Sequence, residues 1–420
     1  MLHPTIQLYR KSFSGLSREV WLLSGVTLIN RIGMMVLPFL SLYTTKELGF
    51  SMTQAGIVTS FFGLGSLAGS YLGGKLSDLF GEFKTQFWSL FLSGFFYLSL
   101  IFIRDFQVFC AGIFVAAMVA DIFRPAMMSA IGSYSKPQNR ARAMSLIRLS
   151  INLGFAGGMI AGGFIAANVG YQWLIIIEGV TCIAAGIFFY FQLPNRDAAT
   201  HARKKELTSE AVLSPWRDWV FLFFIFCLLV SSIAFLQLFT TIPLFFKDHL
   251  FMSEDEIGLI MFLNGILLFV LEMPVVYKLE NFGNKFILSA LGALFIGLSF
   301  LVFNVLGWTV AVAVLAIILV TVGEIISFPF SSALVLDRTT EKNRGQYMGI
   351  YAATFSSSFI ISPIIGTWIA EHYGFDILWW FVGSLSIIAG AGLWWLSSKG
   401  APKIAEPEPQ TVGEEVLEKV

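Results

Sequence analysis

The stretch NRARAMSL at residues 139–146 reappears as NRGQYMGI at residues 343–350, 204 positions later. Further upstream, LGFSMTQAG at residues 48–56 corresponds to LFMSEDEIG at residues 250–258, at an offset of 202. A repeat of about 200 residues is too long for the unit of a solenoid. The chain therefore contains two copies of one half-protein.

The composition is that of an integral membrane protein. Hydrophobic residues make up 56% of the chain and charged residues only 13%, against roughly 25% charged in soluble domains. Two like halves in so apolar a chain predict a transporter with its substrate site between them. The zero net charge gives no reason to expect a nucleic-acid partner, and the four scattered histidines predict no metal site. We find no hydrolase or ATPase machinery, so we expect neither an enzyme nor a cofactor.

Twelve apolar segments are each close to the roughly 20 residues that a helix needs to cross a bilayer. Such segments must be helices, because lipid leaves backbone groups no other partner outside a closed barrel, and no alternating ten-residue pattern of a barrel is present. The predicted fold is all-α, with twelve transmembrane helices in two pseudo-symmetric six-helix bundles. The predicted spans are 20–43, 52–76, 86–103, 107–134, 142–167, 172–194, 218–246, 256–277, 284–304, 307–336, 345–370 and 376–397.

The distribution of lysine and arginine predicts the orientation. With the N-terminus inside, the inner segments hold 21 of these residues and the outer loops only three, Lys46, Arg104 and Lys247. This bias predicts a multi-pass protein of the plasma (inner) membrane with both termini in the cytoplasm.

The expected domain boundaries follow from the spans. Residues 1–194 form the N-terminal bundle, 195–217 a charged cytoplasmic linker, and 218–398 the C-terminal bundle. Residues 399–420, rich in proline and glutamate, are expected to be disordered. We expect a monomer whose partners are the lipid bilayer, a small-molecule substrate and protons.

The inner loop between spans two and three carries GKLSDLFGEFK at residues 74–84. It is similar to the Gly-x-Leu-x-Asp-Arg-x-Gly-Arg-Lys signature of the major facilitator superfamily. Leu79 and Glu82 depart from the signature, since both positions are basic in the family. The resemblance implies a cytoplasmic gate in which Asp78 acts as a latch; the alternative is a solvated loop aspartate. The implied gate residues are Gly74, Asp78, Gly81, Lys84, Arg140, Arg142 and Arg344.

Span five carries GFAGGMIAGG at residues 154–163. This segment resembles the family's antiporter signature, with Met159 in place of its proline, while the repeat-related span eleven keeps Pro363. The resemblance implies export in exchange for protons. Close helix packing explains the small residues nearly as well. An arginine that the family has early in span four is absent, and Ile113 lies there. The residues assigned to helix packing are Gly154, Gly158, Gly162, Gly163 and Pro363.

Ionisable residues inside the spans are costly and by default functional. Asp121 and Arg31 both fall near the middle of the membrane by residue count, and Arg124 follows Asp121 at a spacing that allows the two to pair. Burial favours the neutral carboxyl and a neighbouring arginine favours the carboxylate, so a proton and a substrate could compete there. We expect Asp121 to bind the proton; the alternative is a permanent ion pair that fixes helices one and four. The proton-coupling candidates are Asp121, Arg31, Arg124, Glu178, Glu272 and Glu324.

Four uncharged polar residues could line the cavity or could equally satisfy neighbouring helices. They are Asn30, Asn152, Gln237 and Asn264.

Three functions remain open. The first is proton-coupled export of small amphipathic or drug-like molecules by alternating access. The second is a proton-coupled symporter that imports peptides or other small solutes, since Asn30-Arg31 and Phe123-Arg124-Pro125 faintly resemble the proton-coupled peptide transporters. The third is a membrane sensor without transport activity on the same scaffold.

Overall fold

The structure is a computed structural model that describes residues 16–135, 140–194, 214–279, 284–338 and 343–399. Within these residues every regular element is a helix and no strand occurs, which confirms the all-α prediction. The fifteen α-helices are α1 Arg18–Gly33, α2 Val36–Leu42, α3 Met52–Phe80, α4 Glu82–Leu100, α5 Phe106–Asp121, α6 Phe123–Tyr134, α7 Arg140–Asn168, α8 Gln172–Gln192, α9 Trp219–Phe235, α10 Gln237–Asp248, α11 Glu254–Leu279, α12 Lys285–Leu306, α13 Val310–Asp337, α14 Arg344–Tyr373 and α15 Phe375–Ser398.

These helices supply the predicted spans. In the described part of the chain, 11 helical segments are long and apolar enough to cross a membrane. The remaining predicted span, 86–103, coincides with α4, a less apolar helix of 19 residues. Several of its polar side chains are buried against protein: Ser89 donates a hydrogen bond of 2.6 Å to the Val119 carbonyl, and Gln86 and Ser93 are fully buried. The polarity of α4 therefore reflects its packing inside the N-terminal bundle.

Three spans are interrupted near their middle, and two of the breaks are related by the repeat. Span one breaks at Met34 and Met35 between α1 and α2, and span seven breaks at Leu236 between α9 and α10. Met34 and Leu236 are separated by the same 202 positions as the repeated loop segments. Span four breaks at Ile122, where Pro125 has no N–H to donate to the Asp121 carbonyl. Each break in the N-terminal bundle thus lies beside a buried charge.

The α7/α11 seam joins the two bundles through very small residues. A methyl group added to Gly163 would lie 2.6 Å from the Glu254 carbonyl oxygen, and one added to Gly265 would lie 2.7 Å from Ala156 Cβ. The two helix backbones are therefore in direct contact.

The α3/α14 seam joins the bundles in the same way. Ser60 donates a hydrogen bond of 2.7 Å to the Ile360 carbonyl, and Gly56 leaves room for Thr367. Both seams run through the outer and middle thirds of their helices, where "outer" denotes the side opposite the termini.

Toward the termini, Arg124, Met144 and Ala353 have exposed side chains. A cavity of ≈ 540 Å³ lies between α14 and the short 3₁₀ helix Pro215–Arg217 that precedes α9. The two seams thus close the outer side of the described structure. Most of the predicted linker (195–213) and tail (400–420) lies outside the described residues, and the domain boundaries stay a prediction.

We expect Gly258→Ala to destabilise the closed outer side. The added methyl group would lie 2.7 Å from the Met159 carbonyl oxygen, and overpacking of this kind costs about 1–3 kcal/mol. In a Ser60→Cys background, a membrane-impermeant maleimide should label the cysteine faster in Gly258→Ala than in the parent. Gly25→Ala is the matched control, because its methyl group would meet no atom within 4 Å. Equal labelling rates in the two alanine variants would contradict the seam as a closing contact.

Candidate functional site: two charged clusters

The first cluster lies inside the N-terminal bundle, where α1, α5 and α8 meet. Arg31 ends α1, Asp121 ends α5, and Glu178 lies in the second turn of α8. Together with Tyr97 and Asn30 they line a cavity of ≈ 20 Å³, which is room for about one water molecule. The structure thus brings Arg31, Asp121 and Glu178 to one cavity.

The helix breaks explain why these side chains meet. Arg31 precedes the break at Met34 by one turn, and Asp121 directly precedes the break at Ile122. A broken helix leaves backbone groups without intrahelical partners and tolerates polar surroundings, such as a cavity, better than a continuous helix does. Local geometry therefore places the two charges beside the cavity.

Asp121 and Arg124 do not form the ion pair that their spacing allows. The Asp121 carboxylate accepts a hydrogen bond from the Ser66 hydroxyl of α3, and the described residues contain no ion pair between Asp121 and an arginine within 4.0 Å. The hydrogen-bond ladder is interrupted at Ile122, although its backbone keeps helical dihedral angles. Arg124 instead has an exposed side chain.

Glu178 is the most buried charged group of this cluster. Its side chain is 2% exposed, and the Cys182 thiol donates a hydrogen bond of 3.6 Å to its Oε1 atom. Asn30 Nδ2 donates to the same sulfur at 3.6 Å. Among the described residues, Glu178 Oε2 and Arg31 Nε are buried without a hydrogen-bond partner. Unpaired buried polar atoms beside a water-sized cavity are places where a proton or a water molecule can bind.

The small residues of span five pack against α1, the helix that carries Arg31. A methyl group on Gly154 would lie 2.6 Å from Arg31 Cβ, and one on Gly158 would lie 2.9 Å from the Ile32 carbonyl oxygen. Gly162 lies in the same way against Met35. The glycines of α7 therefore let α1 run against it at the turns that carry Arg31 and the span-one break.

The second cluster joins the bundles on the inner side of the α7/α11 seam. Arg148 of α7 forms an ion pair with Glu272 of α11. Glu324 of α13 accepts a hydrogen bond of 3.3 Å from Asn264 Nδ2, which also donates to Thr321 at 2.9 Å. The predicted coupling residues include Glu272 and Glu324 but not Arg148.

The other predicted polar residues occupy different environments. Gln237 is fully buried, and its amide donates to Ser362 Oγ at 2.9 Å. Ser362 directly precedes Pro363 in α14. Asn152 is half-buried and lies one turn from Arg148 on α7. Gln237 thus links two irregular helices, whereas Asn152 lies beside the second cluster.

The predicted cytoplasmic gate is only partly within the described residues. Gly81 has a φ of 92° at the turn between α3 and α4, a backbone conformation that favours glycine. Gly74 has open space around its Cα, and Lys84 is exposed. The side chains of Asp78, Arg140, Arg142 and Arg344 lie outside the described residues, so the latch stays a prediction.

An inner ion pair was missed by the sequence reasoning. Arg338 donates to the Asp218 carboxylate through Nη2 at 2.7 and 2.8 Å and through Nε at 3.1 Å. The two side chains are 8% and 11% exposed. Asp218 also caps α9 by accepting from Phe221 N at 3.0 Å. Arg338 is one of the 21 lysines and arginines of the inner segments, and no prediction was made for Asp218.

The outer side is closed by polar contacts between the bundles that the sequence reasoning also missed. Lys46 pairs with Asp248, and the Glu371 carboxylate accepts from the Thr53 backbone N–H at 2.5 Å. The distribution of lysine and arginine does not reveal these contacts, because it leaves out the acidic residues that form them.

A third outer contact joins Tyr171 to Glu254. The Tyr171 hydroxyl donates to Glu254 Oε1 at 2.5 Å, and Lys247 holds the same carboxylate at 2.7 Å. Burial and this hydrogen bond raise the pKa of Tyr171, so the phenol stays protonated and keeps donating.

The described residues contain no group of three or more His, Cys, Asp or Glu side chains able to hold a metal ion. The chemistry of both clusters is therefore that of carboxylates, guanidinium groups and hydroxyls, which exchange protons and bind charged groups.

Comparison with known proteins places the chain among transporters. The family model described as Major Facilitator Superfamily matches residues 23–323 and 242–418. The chain is 24% identical over 347 residues to the uncharacterized MFS-type transporter YttB of Bacillus subtilis, covering 81% of this chain and 85% of that protein. It is 20% identical over 404 residues to a Na(+), Li(+), K(+)/H(+) antiporter of Planococcus maritimus, covering 89% and 94%.

Comparison with solved structures supports the same fold. The crystal structure of a peptide transporter POT in complex with alafosfalin superposes with a TM-score of 0.77 at 15% identity, covering 92% of this chain and 96% of that chain. At this identity the likeness shows the fold alone.

We expect Arg338→Ala to lower the free energy of unfolding by about 3–5 kcal/mol, because it leaves the Asp218 charge buried and unpaired. The matched control is Lys285→Ala, which removes the exposed pair with Asp337 on the same side of the same bundle and should cost less than about 1 kcal/mol. Thermal unfolding in detergent measures both. Equal losses in the two variants would show that the Arg338–Asp218 pair behaves as a surface pair.

Proposed function

The chain belongs to the major facilitator superfamily, and we propose that it is a proton-coupled exporter of small amphipathic molecules that works by alternating access. Like its relatives and structural neighbours, it is a multi-pass membrane transporter and not an enzyme. The proposal adds the proton, the direction of transport and the location in the plasma membrane with both termini in the cytoplasm.

The observation that carries the proposal is the cluster of Arg31, Asp121 and Glu178. It holds two carboxyl groups and one guanidinium around a cavity of ≈ 20 Å³ in the middle of a membrane bundle. An ionisable side chain at this depth normally pairs with another group or takes part in function. In this cluster the described residues leave both Arg31 Nε and Glu178 Oε2 without a hydrogen-bond partner, which argues for a task beyond a static ion pair.

Asp121 is the proposed main proton-binding group. It lies at the end of α5, beside the cavity, and its carboxylate has a single hydroxyl donor in Ser66. When Asp121 is deprotonated, Arg31 offsets its charge; when it is protonated, Glu178 is the remaining carboxylate near the guanidinium. Proton binding therefore changes the charge balance without leaving Arg31 uncompensated. Glu178, Glu272 and Glu324 are the alternative proton carriers.

The small residues of α7 support export in exchange for protons. Their resemblance to the antiporter signature is matched by close packing of Gly154 and Gly158 on α1, next to Arg31. The Planococcus maritimus relative is named as an antiporter that uses protons. The glycines of this motif let α1 pack on α7 beside Arg31, and α7 also packs on α11 of the other bundle. The proposed proton site is therefore next to a helix that joins the bundles.

Alternating access would use the two sides in turn. The seams and the contacts of Lys46 and Glu371 hold the outer side closed, and substrate would enter from the inner side through the exposed space near Arg124. The Asp78 loop, together with Arg140, Arg142 and Arg344, would close the inner side when the outer side opens.

We expect Asp121→Asn to slow transport driven by a pH gradient while the protein still folds. In proteoliposomes with an imposed pH gradient, the initial rate of dye accumulation should fall by roughly tenfold, the size of a typical coupling between two sites. Asp105→Asn is the matched control, because Asp105 caps α5 outside the span and asparagine caps helices equally well.

A pH dependence identical to that of the wild type in Asp121→Asn would remove Asp121 from the coupling. Accumulation in the direction opposite to export, with short peptides as the transported solute, would instead support the importing symporter. Equilibrium binding without accumulation under any gradient would support the membrane sensor.

A further inference from the structure

We propose that a groove between α9 and α15, on the lipid-facing side of the C-terminal bundle, binds an anionic phospholipid by its headgroup and one acyl chain. The groove lies at the end of the bundle nearest the chain termini. The inference goes beyond the proposed function and does not rest on it, because the groove contains neither the proton site nor the space between the bundles. It is carried by two rows of aromatic and apolar side chains that end at two cations.

The groove belongs to the surface that meets lipid. α15 packs against α9, α12 and α14, which are helices of its own bundle. Large apolar side chains on the rest of its surface are exposed, including Ile388, Trp394 and Trp395. In a helix that spans a membrane, apolar side chains that are not buried against protein contact acyl chains. This face of α15 therefore adjoins the bilayer.

Helical spacing forms the two walls of the groove. The members of each wall are three or four residues apart, so they share one face of their helix. The α9 wall consists of Trp219, Phe223 and Phe226, and the α15 wall consists of Ile388, Gly392 and Trp395. Lys399 directly follows α15, one turn beyond Trp395, and therefore continues the second wall.

The two walls meet at the Trp395 ring. Its centroid lies 5.6 Å from that of Phe223 and 6.3 Å from that of Trp219, within the range of favourable aromatic contacts. Behind the rings the helices are close, because a methyl group added to Gly392 would lie 2.9 Å from Cys227 Sγ. Much of the Trp219 ring remains exposed. The rings thus line a shallow groove that is open to lipid.

Two cations lie at the end of the groove. Lys399 Nζ is 5.5 Å from the Trp395 ring centroid, a distance at which the ring face attracts the ammonium group. Arg217 ends the 3₁₀ helix just before Trp219, and its side chain is exposed. Tryptophan rings favour the boundary between acyl chains and headgroups. The cations therefore lie at the level of the lipid phosphates.

The protein does not neutralise these two cations. Two carboxylates at the same end of the bundle have basic partners of their own: Asp218 pairs with Arg338, and Asp337 pairs with Lys285. Among the described residues, no carboxylate lies within 4.0 Å of Arg217 or Lys399. The end of the groove thus has an excess of positive charge.

An anionic phospholipid matches this arrangement along its whole length. Its phosphate would bind Lys399 and Arg217, and an acyl chain would lie along Phe226 and Ile388. Basic residues beside a membrane attract anionic lipids, whereas the same two cations would repel the ammonium group of a zwitterionic headgroup. A soluble anion would leave the apolar walls uncovered. The bound lipid would connect the first and last helices of the C-terminal bundle.

The direct test is lipid binding to the purified full-length protein in detergent, measured by native mass spectrometry. The two probes are dioleoylphosphatidylglycerol and dioleoylphosphatidylcholine, which have the same acyl chains. We expect a lower Kd for the phosphatidylglycerol. Arg217→Gln combined with Lys399→Gln should raise that Kd by roughly tenfold and should leave binding of the phosphatidylcholine unchanged.

The matched control is Lys75→Gln combined with Lys278→Gln. It removes the same total charge from two exposed positions on the same side of the protein. Lys75 also lies over an aromatic ring, with its Nζ 4.5 Å from the Tyr71 centroid. Binding of the phosphatidylglycerol should equal that of the wild type. The melting temperatures of both double variants without added lipid should match the wild type, which shows that the variants fold.

A second pair of variants tests the walls. Trp395→Leu keeps an apolar side chain but removes the ring that joins both walls and Lys399, and should raise the phosphatidylglycerol Kd by roughly fivefold. Trp394→Leu removes the neighbouring exposed ring, which lies on a different face of α15, and should change nothing.

Equal affinities of the wild type for the two lipids would overturn the proposal. An unchanged phosphatidylglycerol Kd in the variant that lacks Arg217 and Lys399 would also overturn it. An equal loss of binding in the control that lacks Lys75 and Lys278 would show that only total charge matters, and the groove would then not be a site.

Discussion

An ionised side chain in the middle of a bilayer must have its charge balanced by the protein, and the organisation of the N-terminal bundle follows from this constraint. Arg31 is surrounded by Asp121 and Glu178 from two other spans. Breaks in spans one and four lie beside the charges, and the glycines of α7 bring α1 close enough to complete the enclosure. If one carboxyl group of this cluster gains or loses a proton, the net charge of the cluster changes. The electrostatic interactions between the helices that carry it change with it.

The two halves of the chain share a helix break but not their buried charges. The interruption of span one at Met34 recurs in span seven at Leu236, so the irregular geometry belongs to the ancestral half. The charges do not recur, since Asp121 corresponds to Ile325 and Glu178 to Val382. Two bundles of like shape can move against each other, while the carboxyl groups of Asp121 and Glu178 belong to the N-terminal bundle alone.

Much of this could be predicted from the sequence, and the misses have physical reasons. Apolar length and the repeat predicted the spans, and burial cost alone identified Arg31, Asp121 and Glu178. Regular helical spacing allows Asp121 to pair with Arg124, but the Asp121 carboxylate accepts a hydrogen bond from Ser66 of another helix, which spacing along one helix does not reveal. The Arg338–Asp218 pair escaped notice because lysine and arginine near span ends are ordinarily solvated.

The central claim is that protons and substrate bind antagonistically, and linkage makes such antagonism reciprocal. The most direct measurement is therefore the release of protons when substrate binds. Purified protein in weakly buffered detergent solution, titrated with tetraphenylphosphonium in the presence of a pH indicator, should acidify the medium near neutral pH. Asp121→Asn should release fewer protons for the same amount of bound cation. Saturable binding without any change in pH, on either side of neutrality, would contradict the account.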